Sequence, residues 1–248
     1  MEQGMLTKIA LVISQYQLQG SYSGFSYTEL LSHTRLPKST LSRLLANLVA
    51  AGFLEKDKQG KFVLGNLIIN SATNVLSNNL IDITSEVMGN LSRETGLAGY
   101  ISVLSGHSVI VTRSYSGHRL QQQLVSPVGC RVCAAKTAVG RSILSRMDKA
   151  VVLGVLGEYY SEYDSFQLAA QIKMVNSKSC IRAEGESVAG VGAMATNVRH
   201  PMTGDVIGLC LSYPLDQLDR DVLINAEQSL LAVAKQIGIQ VKDKYWIE

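Results

Sequence analysis

The chain has 248 residues, 46% of them hydrophobic and 17% charged, enough apolar material for one large core or two modest ones, which excludes disorder as the main state. Its longest apolar runs, Ala150 to Gly157 and Val206 to Leu211, fall far short of the ~20 residues of a membrane span, and the start of the chain breaks too early for a secretory signal, so a soluble, cytoplasmic protein with no membrane partner is expected. The formal charge of +3 is unevenly carried: residues 1–70 hold seven Lys or Arg against four acids while the rest is balanced, which points to a polyanionic partner for the first part, bound by a dimer because the excess is small.

Leu6, Ile9, Ala10, Ile13 and Tyr16 recur at helical spacing and predict a first helix near 5–17, closed by the turn-rich Gln19 to Gly24. Ser26 is a good N-cap for a short second helix to about Ser32, with Glu29 completing a capping box. After a tight connection over His33 to Leu36, Pro37 suits a helix start. Leu41, Leu44, Leu45 and Leu48 then repeat at i, i+3, i+4, i+7 up to a stop at Gly52. Two short helices in close succession, the second strongly amphipathic, form a helix-turn-helix pattern.

With those leucines inward, Ser39, Arg43 and Ala46 centre the outer face, flanked by Ser42 and Asn47, with Lys38 at the N-terminal end. Short polar side chains and one long fork suit a helix lying close to base edges, with Arg43 able to contact guanine bidentately. Lys38, Ser39, Thr40, Ser42, Arg43 and Asn47 are the candidate DNA contacts on this helix. Phe53 to Lys56 and Lys61 to Leu64 alternate around Asp57 to Gly60, a hairpin signal, and a basic hairpin after a recognition helix is the wing of a winged helix-turn-helix. Its Lys56, Lys58 and Lys61 would sit on phosphates and position the module without reading sequence.

A boundary falls within 66–80. Leu80, Ile83, Val87 and Leu91 give a helical stripe ended by Gly96, so the chain divides into a DNA-binding domain over 1–68, a linker helix over 69–96 and a second domain over 97–248. Beyond Gly96, Ala98 to Leu104 and Ser108 to Ser114 read as paired strands and Gln121 to Val125 as a third. Helices are expected near 137–147, 149–157 and 166–179, a further hairpin over Val191 to Val198 and Val206 to Tyr213, and a final helix over 216–241. This order suggests an α+β domain, an antiparallel sheet with helices packed on it.

Other chemistry finds little support. Cys130-Arg131-Val132-Cys133 is a lone CxxC; the remaining cysteines, Cys180 and Cys210, and the four histidines show no ligand spacing, so no metal or cofactor is expected. Gly190 to Ala195 fits the loosest dinucleotide pattern, GxGxxA, but its apolar alternation continues as a strand. Gly185 to Ala189 lacks the second glycine of a nucleophile elbow and has no expected strand before it. No catalytic constellation is found.

Taken together, Leu36 to Leu45 with Gly52 to Glu55, Lys136 to Arg141, Glu184 to Ala195, and Leu211 to Pro214 make the chain resemble the IclR family of transcriptional regulators over nearly its whole length. The resemblance implies a winged-helix domain, a linker helix and a GAF-like effector-binding domain, assembled as homodimers or dimers of dimers. By segment matching it implies effector contacts at Ala138, Val139 and Gly140 near a helix start, Val191 and Ala193 on one strand, and Cys210 and Ser212 on the next. Backbone N–H groups near Thr137 and the Ser212 hydroxyl would favour a carboxylate. Ala183, where small-carboxylate binders carry an acid, with Ala193 and Cys210, implies a less polar, roomier pocket. The expected function is a ligand-responsive repressor acting on double-stranded DNA at a pseudo-palindromic operator, with a small organic acid or related metabolite as effector, either a glyoxylate-sized carboxylate or a larger, more apolar acid. The rivals are a thiol- or zinc-responsive regulator using Cys130 and Cys133, and a metabolite-binding or catalytic protein with an N-terminal protein-interaction module.

Overall fold

The computed structural model describes residues 4–18, 24–76, 79–119, 125–174, 179–216 and 218–247. They form two compact units that divide between Asn78 and Asn79. The first holds α1 (Met5–Leu18), α2 (Tyr27–Thr34), α3 (Lys38–Ala50), the antiparallel pair β1 (Leu54–Lys56) and β2 (Phe62–Leu64), and α4 (Asn66–Leu76).

Local rules account for this unit. The inward side of α1 carries the fully buried Val12, one step off the expected stripe, and leaves Leu6 81% exposed. The Ser26 hydroxyl accepts from the Glu29 N–H at 3.3 Å while the Ser26 N–H donates to the Glu29 carboxylate at 2.7 Å, the reciprocal cap that starts α2. Left-handed Arg35, at φ 53°, ends α2 two residues later than expected. Leu41, Leu44, Leu45 and Leu48 are all buried, each contributing about 1.5–3 kcal/mol over exposure. The stop is at Gly52, whose φ of +75° suits glycine; its N–H reaches the Val49 carbonyl at 3.0 Å and that of Phe53 reaches Leu48 at 2.9 Å. The hairpin is tied back to the helices by Phe62, which exchanges backbone hydrogen bonds of 2.9 and 2.7 Å with Phe25 and accepts from the Tyr16 hydroxyl at 2.9 Å.

The second unit is built on one antiparallel sheet. In chain order it comprises α5 (Asn79–Thr95), β3 (Ala98–Ser105), β4 (Ser108–Tyr115), β5 (Arg131–Cys133), α6 (Ala138–Leu144), α7 (Lys149–Leu156), α8 (Glu162–Lys173), β6 (Ile181–Glu184), β7 (Val191–Arg199), β8 (Val206–Pro214), α9 (Arg220–Val241) and α10 (Lys244–Ile247). The strand order is β5-β4-β3-β8-β7-β6. Period-2 alternation sends Tyr100, Ala195 and Cys210 into a core with α6, α7 and α8, and sends Ile101, Met194, Leu209 and Leu211 into a second core with α5, α9 and α10. The sheet therefore lies between two helical layers.

Several expectations change. The linker helix expected over 69–96 is described as α4 and α5, with residues 77 and 78 between them outside the described residues, and α5 is part of the second unit's core through Leu80, Ile81, Met88 and Leu91 rather than through Ile83 and Val87, which are only half-buried. Most of the expected strand over Gln121 to Val125 lies outside the described residues, and β5 takes the place beside β4, with Val109 opposite Val132. The helix expected over 166–179 runs over Glu162–Lys173, capped by the Ser161 hydroxyl on the Asp164 N–H at 3.2 Å. Strand β6 was not anticipated and does precede Gly185, yet the chain turns back into β7, so no strand-to-helix elbow exists there. The GxGxxA segment runs into β7 itself.

A charged knot closes the α9 side. Arg146 donates to Asp243 at 2.7 and 3.1 Å and to the Asn197 side chain at 3.0 Å, and Asp243 also accepts the Arg199 N–H at 2.8 Å. The Asp243 side chain is 4% exposed, so this pair is desolvated and held by geometry.

Candidate functional site

On the first unit, α3 presents an exposed polar face opposite its leucines. Lys38, Ser39, Ser42, Arg43 and Asn47 are exposed on it, while Thr40 is half-buried. Among the described residues no ion pair engages Arg43. The three wing lysines are not equivalent. Lys58 is exposed in the turn, which Asp57 closes by accepting from Gln59 and Lys61 N–H groups at 2.8 and 2.9 Å. Lys56 lies 5.2 Å from the Phe62 ring centroid, and Lys61 is half-buried. Glu29, held below the usual carboxylate range by its bonds from the Ser26 backbone and hydroxyl, also feels the charge of Lys61. Two of the three thus serve the fold as well as the surface.

On the second unit, a cavity of about 80 Å³ opens between the sheet and α6, with a wall from the β6–β7 loop. Of the seven effector positions implied by sequence, Ala138, Val139, Val191, Ala193, Cys210 and Ser212 line it; Gly140 does not. Its N–H is taken at 3.2 Å by the Thr137 hydroxyl, and a Cβ there would lie 2.2 Å from the Ala134 carbonyl oxygen, so Gly140 serves the approach of α6 to its preceding turn. Thr137 in turn donates to the Cys133 carbonyl at 2.9 Å. In the first turn of the seven-residue α6 the Thr137 hydroxyl takes the Gly140 N–H, while Ala138 and Val139 line the space.

Sequence reasoning did not pick out Tyr100, Ser102, Ser126, Glu186 and Ser187, which also line the cavity. The Tyr100 hydroxyl accepts from the Ser126 N–H at 3.3 Å, leaving its own proton to donate, and burial pushes its pKa up to about 12. Ser102, 1% exposed, has no partner for its hydroxyl among the described residues. Burial pushes the Cys210 thiol up to about 12, so it is a neutral wall. Glu186 is gripped by both terminal nitrogens of Arg141, one at 3.0 Å, while Arg141 Nε donates to the Ala135 carbonyl at 2.8 Å. Burial opposes the charge on Arg141, but the bonds and charge of Glu186 win and hold its pKa up.

Cys130, just before β5, and Cys133, its last residue, are free thiols, and among the described residues no three His, Cys, Asp or Glu side chains converge as a metal site would require. No helix among them is long and apolar enough to cross a membrane.

Comparison with known proteins places the chain. The model of the IclR helix-turn-helix domain matches residues 18–58, and that of the bacterial transcriptional regulator IclR C-terminal domain matches residues 72–239. The chain is 26% identical to the HTH-type transcriptional regulator TtgV of Pseudomonas putida over 78% of its own length and 76% of that protein. It is 29% identical to KipR of Bacillus subtilis, another HTH-type transcriptional regulator, over 48% of its own length and about half, 47%, of KipR. In fold it is similar to an IclR homologue from Microbacterium hydrocarbonoxydans solved with 4-hydroxybenzoate, at a TM-score of 0.75 and 18% identity over 96% of this chain and 99% of that one. The Thermotoga maritima IclR aligns at a TM-score of 0.65 and 16% identity, covering 96% of each chain. With a C-terminal family model spanning well over half of its length behind a matching helix-turn-helix, the chain belongs to the IclR family of transcriptional regulators, which are not enzymes.

Proposed function

We propose that the protein is a cytoplasmic repressor that binds a pseudo-palindromic operator in double-stranded DNA as a homodimer or dimer of dimers, and that a small organic molecule in the second unit's cavity changes this binding. The observation that carries the reading is the exposed, unpaired Arg43 among the short polar side chains of α3, in the part of the chain that holds all the excess positive charge. Arg43 reads a base edge, Ser39, Ser42 and Asn47 read bases or phosphates, and Lys38 and Lys58 neutralise the backbone. Thr40 lies at the flank of that face.

The effector contacts are Ala138, Val139, Val191, Ala193, Cys210 and Ser212, joined by Tyr100 and Ser102. The relative solved with 4-hydroxybenzoate supports a compact organic occupant; a carboxylate is the class that the sequence resemblance implies. Strand β3 offers a route for the signal, because it presents Tyr100 to the cavity and Ile101, on its other face, to the core shared with α5. A coupling of about 1–3 kcal/mol between ligand and DNA suffices for regulation.

The test is binding of the purified protein to its own upstream DNA and to random duplex at two salt concentrations. The expected result is a specific complex whose log affinity falls with log salt at a slope near −7, for about eight neutralised phosphates. Equal affinity for both duplexes, or no salt dependence, would overturn the DNA-reading assignment of α3.

A further inference from the structure

One part of the cavity wall is built differently from the rest. Tyr100, Cys210 and Ser212 belong to the long central strands, and Ala138 and Val139 to the buried α6, so sheet ladders and core packing fix them. Glu186, Ser187 and Val188 belong instead to the exposed turn between β6 and β7. Gly185 and Gly190 bound that turn at φ +71° and +76°, and a Cβ would meet nothing nearer than 4.0 Å at either, so glycine is required there by backbone conformation and not by packing. The turn's backbone bonds stay on its own side: Gly185 N–H to the Val191 carbonyl at 3.0 Å, Val191 N–H to Val188 at 3.1 Å, and Leu215 N–H to Gly190 at 3.0 Å. Across to α6, its hydrogen bonds among the described residues are those of the Glu186 carboxylate with both terminal nitrogens of Arg141. The partners are unequally free. The Arg141 side chain is 12% exposed and pinned by its Nε on the Ala135 carbonyl at 2.8 Å, whereas that of Glu186 is 40% exposed. Arg141 is a fixed post, and Glu186 is the side that can let go.

We infer that the β6–β7 turn is a gate over the cavity, hinged at Gly185 and Gly190 and latched by Glu186 on Arg141, and that the cavity is entered when this ion pair parts. The inference rests on the reading of the cavity as the effector site only for what passes the gate; the gate itself is tested without a ligand. Glu186 and Arg141 are here positioning residues, which set entry and release and leave most contacts of a bound molecule to the strands and α6. A bidentate pair partly open to water holds the closed form and still parts readily, and it responds to salt.

Cys210 is the reporter, because it lines the cavity and is only 4% exposed with the turn in place. The full chain is treated with methyl methanethiosulfonate, which passes its methylthio group to a thiol and releases methanesulfinate, and the rate at each cysteine is read by peptide mass spectrometry. Cys180, packed against the core on the α9 side of the sheet, reports general loosening, and Cys130, half-buried and outside the cavity lining, gives the rate of a more accessible thiol. In the wild-type chain Cys210 should react more slowly than Cys130. Glu186→Gln should speed Cys210 about tenfold while Cys180 keeps its rate, since the reaction follows the population of the open form. Raising salt from about 0.05 to about 0.5 M should speed Cys210 about threefold in the wild-type chain and leave it unchanged in Glu186→Gln, a response that a purely structural contact would not give. An unchanged Cys210 rate in Glu186→Gln, a wild-type Cys210 as fast as Cys130, or a rise shared equally by Cys180 would each overturn the gate and leave the effector reading of the cavity standing.

Discussion

The two units handle polar side chains in opposite ways. The first turns its proposed DNA contacts outward, on the far side of α3 from a buried leucine stripe, so that Ser39, Ser42 and Arg43 are exposed and contribute little to folding. The second turns them inward, where Ser102 and Tyr100 stand at a cavity wall inside a packed core and Arg146 and Asp243 pair out of water. A surface that must meet a rigid polyanion can be varied residue by residue without unfolding the helix that carries it. A cavity that must meet a small molecule is part of the core, and its chemistry cannot be altered without touching stability.

The contrast can be broken most forcefully at the charged knot. Asp243→Ala leaves Arg146 buried without its partner and should cost about 3–5 kcal/mol in urea unfolding of the second unit; a loss under 1 kcal/mol would mean that the knot is solvated. Arg43→Ala should leave the unfolding midpoint unchanged while weakening operator binding by about 1–3 kcal/mol and relaxing one base position. Equal losses on operator and random duplex would make Arg43 a phosphate contact instead. Removing the α2 cap with Ser26→Ala should cost about 1 kcal/mol in the first unit, measured by its own unfolding transition. Lys58→Ala should weaken all duplexes alike and flatten the salt slope by about one unit, whereas an effect confined to the operator would place Lys58 at a base.

A smaller effect appears only in alkali. The Cys210 thiol, at 9.0 in an open chain, and the Tyr100 hydroxyl, at 10.0, are both pushed up to about 12 by burial in the second unit. Above about pH 9 the unfolded chain therefore sheds protons that the native state keeps, so the stability these groups contribute is complete below that point and falls as pH rises toward 12. Urea midpoints across pH 8–11 should show the decline, and Cys210→Ala should make it shallower; the same slope in the variant would clear Cys210 of the effect.

What was legible in the sequence follows the same contrast. The α3 face is one helix, so a single period placed Arg43 opposite Leu41, Leu44, Leu45 and Leu48, and the Ser26–Glu29 cap and the Gly52 stop each rest on contacts a few residues long. The cavity draws on β3, α6, β6, β7 and β8 together, and no local pattern brings Tyr100 near Ser212. Resemblance supplied the small residues of the wall and also Gly140, which does not line the cavity and whose backbone closely approaches Ala134. The polar positions of β3 did leave a trace: Ser102 interrupts the apolar run of Tyr100, Ile101 and Val103, and a serine buried to 1% exposure without a partner signals a space beside it. Strand β6 was hidden because Ile181 to Glu184 is four residues long and half polar. The stripe of α5 was read one position off because Thr84 sits fully buried, its hydroxyl spent on the Leu80 carbonyl, which makes a polar residue behave as an inward one.

The order of strands also sets a timetable for synthesis on the ribosome. β3 lies in the middle of the sheet with Ala98 opposite Ser212, so its second neighbour, β8, leaves the exit tunnel only after β4, β5, three helices, β6 and β7 have already appeared. Until then β3 offers an open edge, and the wall that joins Tyr100 to Cys210 does not exist. The first unit has no such delay, since its hairpin, Phe25 and α3 emerge close together. A nascent chain can thus complete its DNA-binding module well before it can respond to any metabolite, and a polypeptide cut short of residue 206 would be a regulator that is deaf to its signal.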